Sequence, residues 1–256
     1  MSEQLFIKHV TVGTLPRYKQ VMTSGFDLIL PCYNPPEGWV KTLEHHFIEL
    51  VNTMENVPVR LIVVNDGSVR NFGPAEINAL QKAIPDIIIV DNLVNRGKGY
   101  AVREGIRRSW YDFQIYTDLD FPFGTAVIKQ VYTQLAEGAD IIAGERGKPY
   151  LELLPMKRKV VTLISRVLNR YILGLKVGDA QAGLKGVNHY GRQLLLATQI
   201  DGFLYDSEFI HKASKLPGLN IRSVDITCRP EINFSSFGIR LLCRELLNYI
   251  SILKSR

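Results

Sequence analysis

Phe113-Gln114-Ile115-Tyr116-Thr117-Asp118-Leu119-Asp120 is the stretch whose reading decides the fold. A β-prone apolar run ends in two carboxylates one residue apart, and Phe121-Pro122-Phe123-Gly124 follows. Apolar residues that stop abruptly in charge predict a buried strand emerging at a sheet edge, where α/β proteins bind their ligands. Asp118 and Asp120 repel one another there unless a cation sits beside them. A hard divalent ion that leaves coordination open for phosphate oxygens suits such a pair. Taken alone, the two aspartates serve equally well as a loop cap or as the start of the next helix. The neighbouring sequence has to decide.

Upstream, residues 26–31, 59–64 and 87–90 read as buried strands. They end in Cys32-Tyr33-Asn34-Pro35-Pro36, in Asn65-Asp66-Gly67-Ser68 and at Asp91. Helices are predicted over 37–56 and 74–84, and Asn95-Arg96-Gly97-Lys98-Gly99 opens another that runs to about 110. Downstream come a helix near 124–137 and a strand over 139–143, followed by Gly144-Glu145-Arg146-Gly147. Alternating strands and helices with near-continuous apolar strands predict an α/β fold with a mainly parallel central sheet, helices on both faces, in one domain. The second half changes character. Residues 155–173 and 237–253 read as amphipathic helices, the first with an apolar stripe of Val160, Leu163, Ile164, Val167, Leu168 and Tyr171. Short strands are expected over 184–187 and 221–228, and Gly202 to Glu208 opens a further helix with Asp206 or Ser207 as its cap. Residues 1–24 read as an N-terminal extension.

The loops after these strands carry the chemistry. Glycines in Asn95-Arg96-Gly97-Lys98-Gly99 allow close backbone approach, two cations sit beside them, and a helix N-terminus follows, a combination that favours a diphosphate. A solvated turn is the plainer alternative. Asp66-Gly67-Ser68 either holds a ribose or base edge or is an ordinary turn. Arg146 adds a cation at the same edge, and Asp179, Gln181 and Lys185 form a polar cluster in apolar surroundings. Asp206 and Glu208 are candidate general bases or first-turn acids favoured by the helix dipole. The five histidines show no metal spacing, and Phe234 and Phe237 line either an acceptor groove or the core. Neither GxGxxG nor GxxxxGK[ST] occurs, so a dinucleotide site and a P-loop are unsupported.

With 256 residues, 46% hydrophobic and 22% charged, the chain has the composition of an ordinary globular protein. A net charge of +6 suits anionic substrates or an anionic membrane surface; no aromatic-basic patch points to nucleic acid. Three scattered cysteines argue for a reducing compartment. The absence of a secretory apolar segment and of any run of 18 apolar residues predicts a cytoplasmic protein at most peripheral to the membrane face.

As an ordered set, Leu30-Pro31-Cys32-Tyr33-Asn34, Val64-Asn65-Asp66-Gly67-Ser68, Asn95-Arg96-Gly97-Lys98-Gly99 and Asp118-Leu119-Asp120 resemble glycosyltransferase family 2, enzymes of the GT-A nucleotide-sugar fold. Gly144-Glu145-Arg146, Asp179 to Lys185 and Phe203 to Glu208 are similar to the dolichyl- or polyprenyl-phosphate sugar synthases within it. The resemblance covers about residues 25–230. It implies one GT-A domain over 25–256, with a nucleotide-binding part at about 25–147 and an acceptor part at about 148–256. It further implies inverting transfer of one hexose from a UDP- or GDP-sugar to a polyprenyl or dolichyl phosphate. Pro31, Tyr33 and Asp66 would hold base and ribose, with Lys98 beside the nucleotide sugar. Asp118 and Asp120 would orient Mg2+ or Mn2+ on the diphosphate, Asp120 ahead of Asp118 as direct ligand. Arg146, Lys185 and Gln181 would meet the acceptor, and Asp206, Asp179 and Arg146 would be catalytic. Departures from the family pattern are Pro35-Pro36 after Tyr-Asn, Asn65 where an aspartate is usual, and Phe121-Pro122-Phe123 where a glutamine is usual; the QxxRW signature of processive enzymes is missing. Two other readings are a peripheral transferase acting on a saccharide or glycolipid hydroxyl, and a degenerate nucleotide-sugar binding module.

Overall fold

The apolar strands are buried on both faces. A computed structural model describes residues 25–171, 173–175, 177–229, 248–250 and 252. In chain order the elements are β1 (Phe26–Cys32), α1 (Trp39–Met54), β2 (Val59–Asp66), α2 (Pro74–Ala83), β3 (Ile88–Asn92), α3 (Lys98–Arg107), β4 (Phe113–Tyr116), α4 (Ala126–Ala136), β5 (Ile141–Arg146), α5 (Lys148–Leu153), α6 (Met156–Tyr171), β6 (Lys185–Val187), α7 (His189–Leu196), α8 (Tyr205–Ser214) and β7 (Ile221–Ile226). The seven strands form one sheet in the order β3-β2-β1-β4-β6-β5-β7. Phe26, Leu28 and Leu30 of β1 pack on one face with Leu43 and Leu50 of α1 and Val131 and Leu135 of α4. Ile29 faces the opposite core, with Ala101, Val102 and Ile106 of α3 and Phe209 of α8. Each such side chain contributes about 1.5–3 kcal/mol on burial, so the alternation along β1 stabilises both helical layers at once.

The topology collects the loops. β1 pairs parallel with β2 and β4, and β2 with β3, so the C-terminal ends of these four strands share one edge. β6 runs antiparallel between β4 and β5, which brings its first residue, Lys185, to that edge, opposite Tyr116 and Ala143. β5 and β7 are parallel, with Arg146 opposite Ile226.

Some expectations are corrected. Gly144, Glu145 and Arg146 continue β5 instead of following it, because β7 supplies ladder partners for all of them. α8 begins at Tyr205 with Leu204 as N-cap, so neither Asp206 nor Ser207 caps it; both side chains are turned into the buried face. α7 was not foreseen; the Asn188 side chain caps it by accepting from the backbone of Tyr190 and Gly191. His45, His46 and Glu49 do converge, with ligand-type atoms within 4.8 Å of one another, because Glu49 lies one turn beyond both histidines, i+4 from His45 and i+3 from His46. The expected extension over 1–24, Phe234, Phe237 and most of the helix over 237–253 lie outside the described residues. Among the described residues, no helix is long and apolar enough to cross a membrane.

Two buried imidazoles give the fold an acid-side weakness. His211 sits 2.9 Å from the Leu173 carbonyl, and burial holds its pKa below the ordinary 6.5; His46 is depressed by burial and by Arg229. Because the folded values lie below the unfolded one, this stability is fully present above about pH 6.5 and is lost as pH falls through the depressed values. Thermal melts between about pH 8 and about pH 5.5 are therefore expected to show a falling midpoint, with a shallower slope in His211→Gln.

Candidate functional site

The site is built from the loop ends upward, starting with the loop that precedes α3. Asp66, at the end of β2, is buried and accepts from Arg96 N (3.0 Å), Gly97 N (2.7 Å) and Asn95 Nδ2 (2.9 Å). Its carboxylate thus braces the Asn95–Gly99 loop. Gly97 adopts φ +117°, and a Cβ there would collide with the Asp201 carbonyl, so only glycine lets the loop lie against 201–202. Asn65 has a matching reason: its amide donates to Asp91 Oδ1 (2.7 Å) and accepts from Ser68 N (2.9 Å). An aspartate could accept but not donate.

This bracing delivers Lys98 to the carboxylates. Its Nζ donates to Asp118 Oδ1. Burial pulls the Lys98 ammonium down, but the charges of Asp118, Asp206 and Asp120 outweigh that and leave it above its ordinary value. Asp120 reaches the surface, yet desolvation and then the Asp118 charge push its carboxyl up, while Lys98 and Arg229 pull it down. An acidic pair whose charge the protein only partly neutralises, with hard oxygen donors, fits a divalent cation. Asp118 and Asp120 are the residues that would hold it.

Two further clusters adjoin. Lys185, fully buried, donates to the Ala182 carbonyl (2.6 Å) and lies 3.1 Å from Asp206 Oδ1, which also accepts from the Tyr116 hydroxyl (2.8 Å). Burial lowers the Lys185 pKa, Asp206 opposes the shift, and Lys98 adds to it. The Lys98 contribution shows that the two lysines share one field. At the end of β5, Arg146 holds Asp179 through Nε (2.6 Å) and Nη2 (2.8 Å), and Arg166 of α6 adds a bond of 2.9 Å. Burial alone would raise Asp179, but the two guanidinium groups outweigh it and keep the carboxyl below its ordinary value.

The predicted residues therefore fall into distinct positions. Lys98, Asp118, Asp120, Lys185 and Asp206 form one electrostatically coupled group. Arg146 and Asp179 lock one another on its β5 side. Pro31 is partly buried and Tyr33 is exposed on the loop after β1. Gln181 accepts from Ser165 of α6 (2.9 Å). Glu208 grips the backbone amides of Gln199 and Ile200, a loop-holding task that occupies the carboxylate. His189 lies on α7, bonded to Gln193 and apart from the group. Sequence reading missed Tyr116, Arg166 and Arg229. Arg166 read as the wet side of an amphipathic helix. Arg229 follows the last strand, and the rule that strand ends carry the site was the signal that could have found it.

Comparisons with known proteins bear on this arrangement. The family model for glycosyl transferase family 2 matches residues 27–190. The poly-beta-1,6-N-acetyl-D-glucosamine synthase of Staphylococcus epidermidis is 34% identical over 106 residues, 41% of this chain and 24% of that protein. The synthase of the same name from Staphylococcus aureus (strain COL) is 34% identical over 96 residues, 38% of this chain and 22% of that protein. The chain thus matches about a quarter of the length of these relatives. Among solved structures, glucosyl-3-phosphoglycerate synthase from Mycobacterium tuberculosis, crystallised with Mn2+, UDP-glucose and phosphoglyceric acid, superposes with a TM-score of 0.62 at 16% identity, covering 91% of this chain and 79% of that one. Mannosyl-3-phosphoglycerate synthase from Rubrobacter xylanophilus gives 0.61 at 15% identity, covering 90% and 72%. Likeness at such identity shows the fold, the expected GT-A architecture. With the matched family model spanning β1 to the start of α7, the chain belongs to glycosyl transferase family 2.

Proposed function

We propose that the protein is an inverting, metal-dependent hexosyltransferase that moves one sugar from a UDP- or GDP-linked donor to a polyprenyl or dolichyl phosphate. The observation that carries this reading is the Asp118/Asp120 pair set against Lys98, one step from the buried Lys185–Asp206 pair. Mg2+ or Mn2+ held by Asp120 and Asp118 would supply charge neutralisation on the donor diphosphate. The neighbour crystallised with Mn2+ and UDP-glucose supports that assignment. Residues 25–147 take the nucleotide part, with Pro31 and Tyr33 at the base and Asp66 acting through the loop it braces. Residues 148–256 take the acceptor part, with Lys185 as a cation there and Arg146, at the end of the nucleotide part, as a second.

The acceptor oxygen attacks the anomeric carbon from the face opposite the diphosphate. A bond forms to that oxygen as the bond to the diphosphate oxygen breaks, and Lys98 offsets charge developing on the leaving group. A phosphate acceptor is already ionised at neutral pH and needs no strong base. That suits Asp206, whose carboxylate is already engaged by Tyr116 and Lys185. The exposed apolar face of α6, with Val160, Leu163, Ile164 and Val167, supports peripheral contact with a lipid surface. A hydroxyl acceptor is the second reading, favoured by the curated relatives, which are named as polysaccharide synthases.

Incubation with UDP-glucose, UDP-N-acetylglucosamine and GDP-mannose, Mn2+, and either polyprenyl phosphate or a short oligosaccharide separates these readings. A lipid-linked monosaccharide is the expected product. An extended oligosaccharide would favour the hydroxyl reading, and donor binding without transfer to either acceptor would make the chain a binding module. Gly183 offers a sharper probe of the same site. A Cβ there would collide with Asp118 Oδ2 and approach Lys98 Nζ to 3.4 Å. Gly183→Ala is expected to displace Asp118 and weaken Mn2+-dependent donor binding by about tenfold, roughly one charge-assisted contact; titration calorimetry reads it directly.

A further inference from the structure

Arg229 follows β7 and is tied to the loop that leaves Asp120. Its backbone N–H donates to the Pro122 carbonyl at 2.9 Å, and its Nη1 donates to His46 Nε2 of α1 at 3.1 Å. His46 in turn packs against Phe121, the residue after Asp120, in a tilted ring contact with centroids 5.5 Å apart. Phe121 is buried at φ +47°, a left-handed conformation that a bulky residue keeps only when its surroundings hold it. Glu49 completes the bracket: it accepts from Thr125 Oγ1 at 2.8 Å at the far end of the loop and lies 3.5 Å from His46 Nδ1. One face of α1 therefore grips the 120–125 loop and Arg229 together. Among the described residues, the remaining guanidinium donors of Arg229 have no hydrogen-bond partner. The half-buried guanidinium also acts on Asp120, helping to hold its carboxyl down.

We propose that Arg229 is a second cation for the donor diphosphate, in addition to Lys98, and that His46 is its positioning residue. The inference rests on the nucleotide-sugar reading above. A planar guanidinium with one arm anchored keeps a fork of donors for phosphate oxygens, and anchoring reduces the rotamer freedom lost on binding. The rival use of this corner is a metal site at His45, His46 and Glu49. Guanidinium can only donate, so His46 Nε2 must accept and its proton sits on Nδ1. A neutral ring so committed offers no lone pair to a metal, which favours the positioning role.

Calorimetric titration of UDP and GDP with Mn2+ into the full chain and its variants tests this. Arg229→Ala is expected to weaken nucleotide binding about tenfold and His46→Ala about threefold. His46→Gln, which restores an acceptor, is expected to return towards the wild-type value. The double variant Arg229→Ala/His46→Ala is expected to bind no more weakly than Arg229→Ala alone, since His46 acts through the arginine. Thermal melts accompany each variant, and Arg229→Gln replaces Arg229→Ala if the alanine form does not fold. Wild-type affinity in the Arg229 variant overturns the proposal, as does additivity in the double variant. Weakened binding in His45→Ala would reassign the corner to a metal and also overturn it. If the wild-type chain binds neither nucleotide, the donor-site reading itself fails, an outcome distinct from the failure of Arg229 alone.

Discussion

Asp120→Ala is expected to lower the transfer rate about a thousandfold, the loss of roughly 4 kcal/mol of charge stabilisation at the leaving diphosphate. Asp120 carries the larger consequence because its partner is already committed: Asp118 Oδ1 accepts from Lys98 and its other oxygen packs against Gly183. Among the described residues Asp120 has no ion pair of its own, and the charges of Lys98 and Arg229 only partly offset the desolvation and the Asp118 charge that raise its pKa. A divalent cation would relieve both. Asp118→Asn should act differently. It strips the counter-ion from a lysine that is mostly buried, so part of its effect is on the placement of Lys98. Steady-state rates across a Mn2+ titration distinguish the two: the Asp120 variant should resist rescue by added metal, while the Asp118 variant should recover in part. Transfer by Asp120→Ala at the wild-type rate would remove the aspartate from the metal role.

Asp206→Leu is expected to be the most destabilising single change at the site, at about 3–5 kcal/mol, because it leaves a charge buried without its partner. Lys185 has no exposed surface, and its neighbours are the Ala182 carbonyl, Asp206 and the face of Tyr116. Removing Asp206 forces either a buried ammonium or a deprotonated lysine, and the burial that already depresses the Lys185 pKa shows which way the site leans. For a domain of this size the loss corresponds to a fall of about 6–20 °C in melting midpoint. The double change Lys185→Met/Asp206→Leu should recover much of that loss, since it removes both charges from the interior. Urea unfolding of the two singles and the double forms the cycle. Full stability in Asp206→Leu would mean that the pair is not held in a low-dielectric interior.

Much of the parallel half was legible from residue order. The strands at Phe26, Val59 and Phe113 are apolar on both faces, and each ends in a polar loop, so their edge could be read as a binding edge before any coordinates. Asp118, Asp120 and Lys98 were found because they sit immediately after such strands or at a helix start. In the second half, the helix over 155–173, the short strand over 184–187 and the strand over 221–228 were legible too, as α6, β6 and β7. α7 was not, because it owes its start to the single Asn188 cap. Gly144 to Arg146 looked like a loop because glycine and charge punctuate sequences, yet pairing with β7 makes them strand.

Roles were harder to read than positions. Asp66 looks like a ligand-binding carboxylate, and its three hydrogen bonds to 95–97 make it a brace. Glu208 looked like a base and holds a loop. Arg166 and Arg229 were invisible as site residues because a single chain order cannot show that α6 and the end of β7 return to the same edge. The sequence by itself determined the α/β class, the edge at which chemistry gathers and the acidic pair at its centre, since those follow from apolar periodicity and from charge at strand ends. Only the tertiary structure decided which carboxylates are free and which are spent on holding the site together. That distinction depends on hydrogen bonds between residues about 30 to 180 positions apart, among them Asp66 with Gly97, Arg146 with Asp179 and His46 with Arg229, and no local pattern encodes them.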